Sequence, residues 1–280
     1  MERKIVCVRL VGGLGNQLFA YAYGRCLAAQ LNRSLLIDDQ TGFYRDSYKR
    51  RPRVQSFLRN YYKVSKRNIL IFYFAKLFKK VSSILLKTYH LKELDPRAMV
   101  IPDIERLENS NTIFCEGYFQ SYRYFQDHES LLRKEISLKH ISSDVLSALS
   151  AKIRETNSVA LHIRRVAYDS LLDISYYKKA VGVLTKKIDN PVFFLFSDDI
   201  EWCRENFGFL SDKFFIDIPN GDEVTDLFLM SSCKHFVIAN SSFSWWGAWL
   251  SNSPNKFIIA PSQTNIGVKD AFYPKDWILI

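Results

Sequence analysis

A chain of 280 residues that is 48% hydrophobic and 15% aromatic has too much apolar side chain for a disordered protein, and its length suits two domains of about 100 to 150 residues. Its net charge of +10 is local, because thirteen Lys and Arg stand against the single acid Asp46 between Arg45 and Lys87, which gives +12 there and −2 for the remainder. No zinc finger, RNA-recognition signature or basic heptad accompanies that charge, which argues against nucleic acid as the partner. The five cysteines, Cys7, Cys26, Cys115, Cys203 and Cys233, are scattered without CxxC spacing, so neither a disulfide framework nor a zinc site is indicated and a reducing cytoplasm fits. Ile5 to Val8 is too short for a signal-peptide core, and no run reaches the ~20 apolar residues of a membrane span. The expectation is a protein without a secretion signal of its own.

In chain order, Lys4 to Leu10 reads as a buried strand and Val11-Gly12-Gly13-Leu14-Gly15-Asn16 as the turn after it. A helix over Gln17 to Leu31 and a second strand over Ser34 to Ile37, ending in Asp38-Asp39, complete a β-loop-α-β unit. GGLGN lacks the GxGxxG spacing of a dinucleotide fingerprint. Gly12 and Gly13 suit a tight turn, while the Asn16 amide, at a helix start beside an open backbone, is placed to orient a ligand. From Arg45 to Lys87 the α/β alternation breaks. There Phe74, Leu77, Phe78, Val81 and Leu85 fall at helical spacing, with Lys76, Lys79, Lys80, Ser83 and Lys87 on another face. This basic amphipathic helix either packs on the domain or meets a membrane surface. Further on, Glu116, Tyr118 and Gln120, with Tyr122, Tyr124 and Phe125 after them, alternate carboxylate, aromatic and amide groups. That pattern suits a sugar-binding wall, although core aromatics read the same way. Asp127 to Arg154 is helical, and the connection between domains falls near Lys152 to Ser158, which divides the chain into 1–155 and 156–280.

The second half alternates more cleanly. Strands are expected over Val159 to Ile163, Pro191 to Phe196, Phe214 to Ile216 and His235 to Ala239, and helices over Tyr176 to Lys187, Glu201 to Phe207, Asp222 to Cys233 and Trp245 to Ser251. That is a Rossmann-like, nucleotide-binding half. Arg164 and Arg165 emerge from the first of these strands at its carboxyl end, where open α/β sheets bind ligands, and His162 shares the parity of Arg164. A guanidinium fits phosphate or carboxylate with two donors at once and stays charged; the alternative is a solvated surface pair. A second anion-binding candidate is Asn240-Ser241-Ser242-Phe243-Ser244, small hydroxyl residues at a helix start, although Ser242 or Ser244 could serve simply as an N-cap. No DxD spacing surrounds Asp198-Asp199. A diphosphate would therefore be held by protein donors rather than by a metal, with Arg164 and the helix dipole stabilising it as it departs.

The segments GGLGNQLF (Gly12 to Phe19), GYFQS (Gly117 to Ser121), HIRR (His162 to Arg165), FSDD (Phe196 to Asp199), DLFLMS (Asp226 to Ser231) and ANSSFSWWGAWL (Ala239 to Leu250) carry a resemblance over nearly the whole chain. The chain resembles the bacterial α-1,2-fucosyltransferases of glycosyltransferase family 11. The resemblance implies an α/β, GT-B-like fold with two Rossmann-like domains facing a central cleft, an acceptor-side domain first and a donor-binding domain second. It also implies inverting transfer of L-fucose from GDP-fucose to the 2-hydroxyl of a terminal galactoside, without metal or other cofactor. On that resemblance Arg164 holds the β-phosphate, His162 and Asp226 the guanine, and Ser241, Ser242 and Phe243 the diphosphate end. Asp198 joins the donor site, Asn16 faces the fucose, and Glu116, Tyr118 and Gln120 serve the acceptor. A carboxylate at Asp226 suits guanine, whose N1 and N2 donors adenine lacks. The setting so implied is cell-surface polysaccharide synthesis in the cytoplasm, at or near the inner face of the membrane, on a lipid-linked glycan; a catalytically silent nucleotide-sugar binder is the alternative.

One departure matters for mechanism. Related enzymes continue HIRR with Gly-Asp-Tyr, whereas Val166-Ala167-Tyr168 stand here. Inverting transfer removes a proton from the acceptor hydroxyl, and a carboxylate is the ordinary base. Ala167 cannot serve. Asp169 on the same loop, or Glu116, is the candidate; otherwise a late, loose transition state lets the proton leave with little help.

Overall fold

Short runs rich in Val, Ile, Leu and Phe, each running into a polar turn, make ten strands among the described residues, and every ladder between them is parallel. Parallel strands buried on both faces need continuous apolar runs and crossover helices, and the sequence supplies both. The structure, a computed structural model, describes residues 4–44, 46–59, 63, 77–78, 87–137, 144–166, 171–218, 221–264, 266–268 and 270–280. By internal contacts the chain forms two units, Met1–Ser137 with Gly267–Tyr273, and Leu138–Ile266 with Pro274–Ile280. The division falls earlier than the 155/156 boundary read from the sequence, because the helix over Asp144–Glu155 packs on the second unit.

In the first unit, β1 (Ile5–Arg9), β2 (Ser34–Asp38), β3 (Thr88–Lys92) and β4 (Thr112–Glu116) form one sheet in the order β2-β1-β4-β3. Helix α1 (Leu14–Gln30) crosses from β1 to β2 and buries 13 of its 17 residues, which is why no polar stripe marks it in the sequence. It begins three residues earlier than expected. Gly13 is its extended N-cap, and Gly12, at φ +73°, occupies the left-handed region that favours glycine. Asn16 therefore lies in the first turn of α1 rather than in the loop before it. The short helices α2 (Ile104–Asn109) and α3 (Glu129–Glu135) lie further along the unit. The basic amphipathic helix read over Phe74 to Lys87 falls almost wholly outside the described residues.

The second unit carries α4 (Asp144–Glu155), β5 (Asn157–Ile163), α5 (Ile174–Leu184), β6 (Pro191–Ser197), α6 (Ile200–Asn206), β7 (Lys213–Phe215), α7 (Glu223–Ser232), β8 (His235–Val237), α8 (Ser242–Leu250), β9 (Ile258–Ala260) and β10 (Ile278–Leu279). Its sheet runs β7-β6-β5-β8-β9-β10. Numbered from β5, that is 3-2-1-4-5-6, the dinucleotide-fold order. Val159, Leu161 and Ile163 of β5 face a core completed by Tyr177, Ala180 and Leu184 of α5 and Phe207. Helix α8 is buried nearly throughout, with Trp245, Trp246 and Trp249 packed ring on ring and Trp277 against Trp245 at 5.3 Å. It approaches α7 closely at Gly247, where a Cβ would stand 2.4 Å from the sulfur of Met230. The helical stretch expected from Asp127 to Arg154 contains α3 and α4, one in each unit.

Candidate active site

In the second unit the strand order reverses between β5 and β8, and the loops leaving their carboxyl ends diverge there to leave room for a ligand. Those two loops carry HIRR and the serine turn. Beyond β5, Asp198 from the end of β6 gathers the turn: its Oδ1 accepts the Arg165 N–H at 2.8 Å and its Oδ2 the Val166 N–H at 3.0 Å, while Arg164 Nε pairs with Oδ2 at 3.1 Å. Asp198 thus accepts two backbone N–H groups of one turn and forms an ion pair with its guanidinium. Its place is behind Arg164, beside that guanidinium. The two arginines also part company. Arg165 lies over the Trp202 ring at 4.1 Å, which leaves Arg164 as the guanidinium of the pair at the switch point.

His162 is 4% exposed, and its imidazole is held neutral, its pKa pushed down to about 3 by burial and by Arg164. Its Nδ1 is buried without a hydrogen-bond partner among the described residues, and its ring centre is 5.7 Å from that of Phe243. A buried nitrogen in that state sets aside hydrogen-bonding capacity that a ligand could use. Beyond β8, Ser241 rather than Ser242 or Ser244 is the N-cap of α8, its Oγ accepting the Phe243 N–H at 3.3 Å. Ser242 and Phe243 consequently sit in the helix's first turn, where the macrodipole favours negative charge. The turn is held from below: Tyr176 donates to the Ile238 carbonyl at 2.7 Å, and Asn240 Oδ1 accepts from Thr264 at 2.5 Å. Asp226, on α7, is half-buried, and its carboxyl is pushed up to about 6 by burial and then by Asp222 and Glu223. Ala167 and Asp169 lie outside the described residues.

The first unit reverses order between β1 and β4, and its candidate residues collect there. Arg9 and Glu116 are partners in register at the two strand ends. Arg9 Nη1 donates to Glu116 at 2.6 Å and its Nε to the Thr41 hydroxyl at 2.9 Å, and that hydroxyl donates to Asp38. Glu116 is therefore tied into an ion-pair network. Glu93, a buried acid just past β3 that the sequence reading missed, accepts the Tyr118 N–H at 2.5 Å and the Phe119 N–H at 3.0 Å. Burial raises its pKa and these two hydrogen bonds oppose that rise. Phe119, at φ +50°, turns inward and stacks on Tyr23 at 4.0 Å. Of the acceptor candidates, Gln120 is buried and bonded to Asn16 at 2.8 Å, and Tyr118 is the half-buried ring beside Gly12. Among the described residues no group of three or more His, Cys, Asp or Glu is placed to hold a metal ion.

The sequence profile described as Glycosyl transferase family 11 matches residues 69–280. The chain belongs to glycosyl transferase family 11. Among its relatives, an alpha-1,2-colitosyltransferase of Escherichia coli is 35% identical over 275 residues, covering 92% of each chain. The O-antigen biosynthesis glycosyltransferase WbnK of Escherichia coli is 29% identical over 288 residues, covering 91% of this chain and 93% of that one. A galactoside alpha-(1,2)-fucosyltransferase 1 of Rattus norvegicus is 26% identical over 161 residues, 51% of this chain and 43% of that one. In three dimensions the family 11 chain is similar to the fucosyltransferase NodZ from Bradyrhizobium, with a TM-score of 0.57 at 16% identity over 92% of this chain and 96% of that one. It is similar also to POFUT1 in complex with GDP-fucose, with a TM-score of 0.54 at 11% identity over 92% and 98%. These structures are of the GT-B type, and the expected fold class holds. The signal that would have exposed Asp198 as a brace is its place one residue beyond β6, next to the strand that carries HIRR.

Proposed function

We propose that this family 11 glycosyltransferase moves L-fucose from GDP-fucose to the 2-hydroxyl of a terminal galactoside, with inversion, in O-antigen-type polysaccharide synthesis. One observation carries the reading: Arg164, braced by Asp198, stands at the carboxyl end of β5, next in the sheet to β8, whose carboxyl end leads to the N-terminus of α8. A diphosphate leaving group needs positive charge where its negative charge develops, and a fixed guanidinium with a helix N-terminus supplies it. In this reading Arg164 holds the β-phosphate, Ser241, Ser242 and Phe243 the diphosphate end, His162 and Asp226 the guanine, and Asn16 the transferred sugar. No metal takes part. Asp169 is the base, because Glu116 is already engaged by Arg9.

A second donor sugar has a specific observation in its favour. The relative at 35% identity is named for colitose, which is L-fucose without its 3-hydroxyl. The deciding experiment offers GDP-fucose and GDP-colitose with a panel of galactosides, in excess chelator, and determines the linkage formed. A 1,2-linked fucosyl product in chelator is expected. Turnover of GDP-colitose alone moves the assignment to that sugar, nucleotide binding without turnover of either makes the chain a silent relative, and activity restored by Mg²⁺ removes the metal-free mechanism.

The acceptor in this reading is lipid-linked, and the basic stretch from Arg45 to Lys87 brings the enzyme to the anionic inner face of a membrane. Each Lys or Arg near such a surface contributes about 1 kcal/mol. Among the described residues no helix is long and apolar enough to cross a membrane. Flotation with anionic vesicles tests the surface contact, and absence of a salt-sensitive association would leave the stretch a packing role.

A further inference from the structure

The side-chain amide of Gln120 is oriented by a group that cannot turn over. Its Oε1 accepts the backbone N–H of Gly267 at 3.1 Å, and a backbone nitrogen only donates. With Oε1 committed, Nε2 donates to Asn16 Oδ1 at 2.8 Å. Asn16 is fixed in its turn, Oδ1 toward Gln120 and Nδ2 toward the Gly12 turn. A Cβ placed on Gly12 would come 2.8 Å from that Nδ2 and 3.3 Å from the Tyr118 ring. The two ends of an amide are nearly identical in shape, so it is this sequence of bonds that makes one of them the donor end.

The main chain around residue 120 is anchored independently. Val268 N–H donates to the Gln120 carbonyl at 2.9 Å, and Ser121 Oγ and Tyr122 N–H both donate to the Ala271 carbonyl, at 2.8 and 2.9 Å. Gln120 is 5% exposed. A buried amide with both ends matched to opposite partners is more than an acceptor-wall residue requires.

We propose that Gln120 is a positioning residue that sets Asn16 as a hydrogen-bond donor, so that Nδ2 meets an oxygen of the transferred sugar. The proposal rests on the reading of Asn16 as a sugar contact. Gln120→Glu tests it, because the carboxylate still accepts from Gly267 while its second oxygen attracts only a donor. Asn16 then turns over, Nδ2 to Glu and Oδ1 to the Gly12 side.

The readouts are kcat and the Kd values of GDP and of GDP-fucose by calorimetry, each in wild-type and Asn16→Ala backgrounds. Gln120→Glu is expected to leave GDP affinity unchanged while weakening GDP-fucose affinity and lowering kcat by about tenfold, the worth of one hydrogen bond. In the Asn16→Ala background it has no further effect. Gln120→Met, which removes both polar ends at similar volume, gives a smaller loss, since Asn16 is then unoriented rather than inverted; it serves as the probe should the Glu variant fold poorly. An Asn16→Ala variant with unaltered kcat and affinities would remove the sugar contact and the relay together. Losses in Asn16→Ala with none in Gln120→Glu, or an equal effect of Gln120→Glu in both backgrounds, would overturn the relay and leave the Asn16 contact standing.

Discussion

Asp198→Asn takes one charge from a cluster whose three donors converge on it. The carboxylate accepts from Arg165 N–H at 2.8 Å and Val166 N–H at 3.0 Å and pairs with Arg164 Nε at 3.1 Å. An asparagine keeps one acceptor oxygen and turns an NH2 toward at least one of these donors. With side-chain exposures of 32% for Arg164 and 20% for Asp198, solvent screening limits the ion pair to about 1 kcal/mol or less. The backbone hydrogen bond lost from a charged acceptor adds about 1.5 to 3 kcal/mol. Because the disturbed turn carries Arg164, we expect about 2 to 3 kcal/mol of transition-state stabilisation to go, a fall of about 30- to 150-fold in kcat/KM for the nucleotide-sugar donor. The comparator is Asp199→Asn. Asp199 caps α6 through the Trp202 N–H at 3.0 Å, so its loss costs about 1 kcal/mol of stability and spares turnover. Steady-state kinetics and thermal melts of both variants decide the matter, and an Asp198→Asn enzyme with wild-type kcat/KM would refute the bracing role.

Arg164→Lys keeps the charge and loses the flat fork, so turnover should fall by about 2 to 4 kcal/mol in transition-state terms with folding intact; near-normal kcat would withdraw Arg164 from the phosphate. Asp226, lifted from 3.8 to about 6, holds its proton more tightly folded than unfolded, so its contribution to stability is full below pH 3.8 and lost as pH rises through 6. Guanine needs the ionised carboxylate, which reverses the direction for binding: GDP affinity should be about tenfold weaker at pH 5 than on its plateau above about pH 7. Asp226→Asn should flatten that profile, and a wild-type Kd independent of pH from 5 to 7.5 would take Asp226 out of base recognition. Asp169→Asn should lower kcat far more than Asp173→Asn, whose main effect is on stability because Asp173 caps α5 through the Ser175 N–H at 2.8 Å. Similar, mild losses of kcat in both variants would dismiss Asp169 as the base.

The second unit was readable because its strands are continuous apolar runs with turn residues between them, so β5, β6 and α7 fall within a residue or two of expectation. Helix starts were less so. Gly13 offers no capping side chain to mark the start of α1, and several hydroxyl residues before α8 competed for the cap that Ser241 takes. Strands β3 and β4 escaped because TYHLK and TIFCE mix polar and apolar residues without a clean period. The placement of His162 and Arg164 at the carboxyl end of β5 could be read from strand parity. The tasks of Asp198, Glu93 and Gln120 could not, because each is defined by donors 25 to 147 positions away in the chain.

The return of Gly267–Tyr273 to the first unit sets a schedule for biosynthesis. A ribosome delivers residues in order, and α1 with the first sheet emerges long before Phe272, whose ring packs on Phe19 of α1 at 5.7 Å. Until that segment leaves the exit tunnel, Ser121, fully buried in the finished protein, lacks the Ala271 carbonyl that its hydroxyl requires. The amino-terminal half therefore waits, partly open, on a segment translated more than a hundred residues after it. A nascent chain stalled or cut after Ile266 would be defective in the part translated first, with Phe19 and Ser121 exposed to chaperones and proteases.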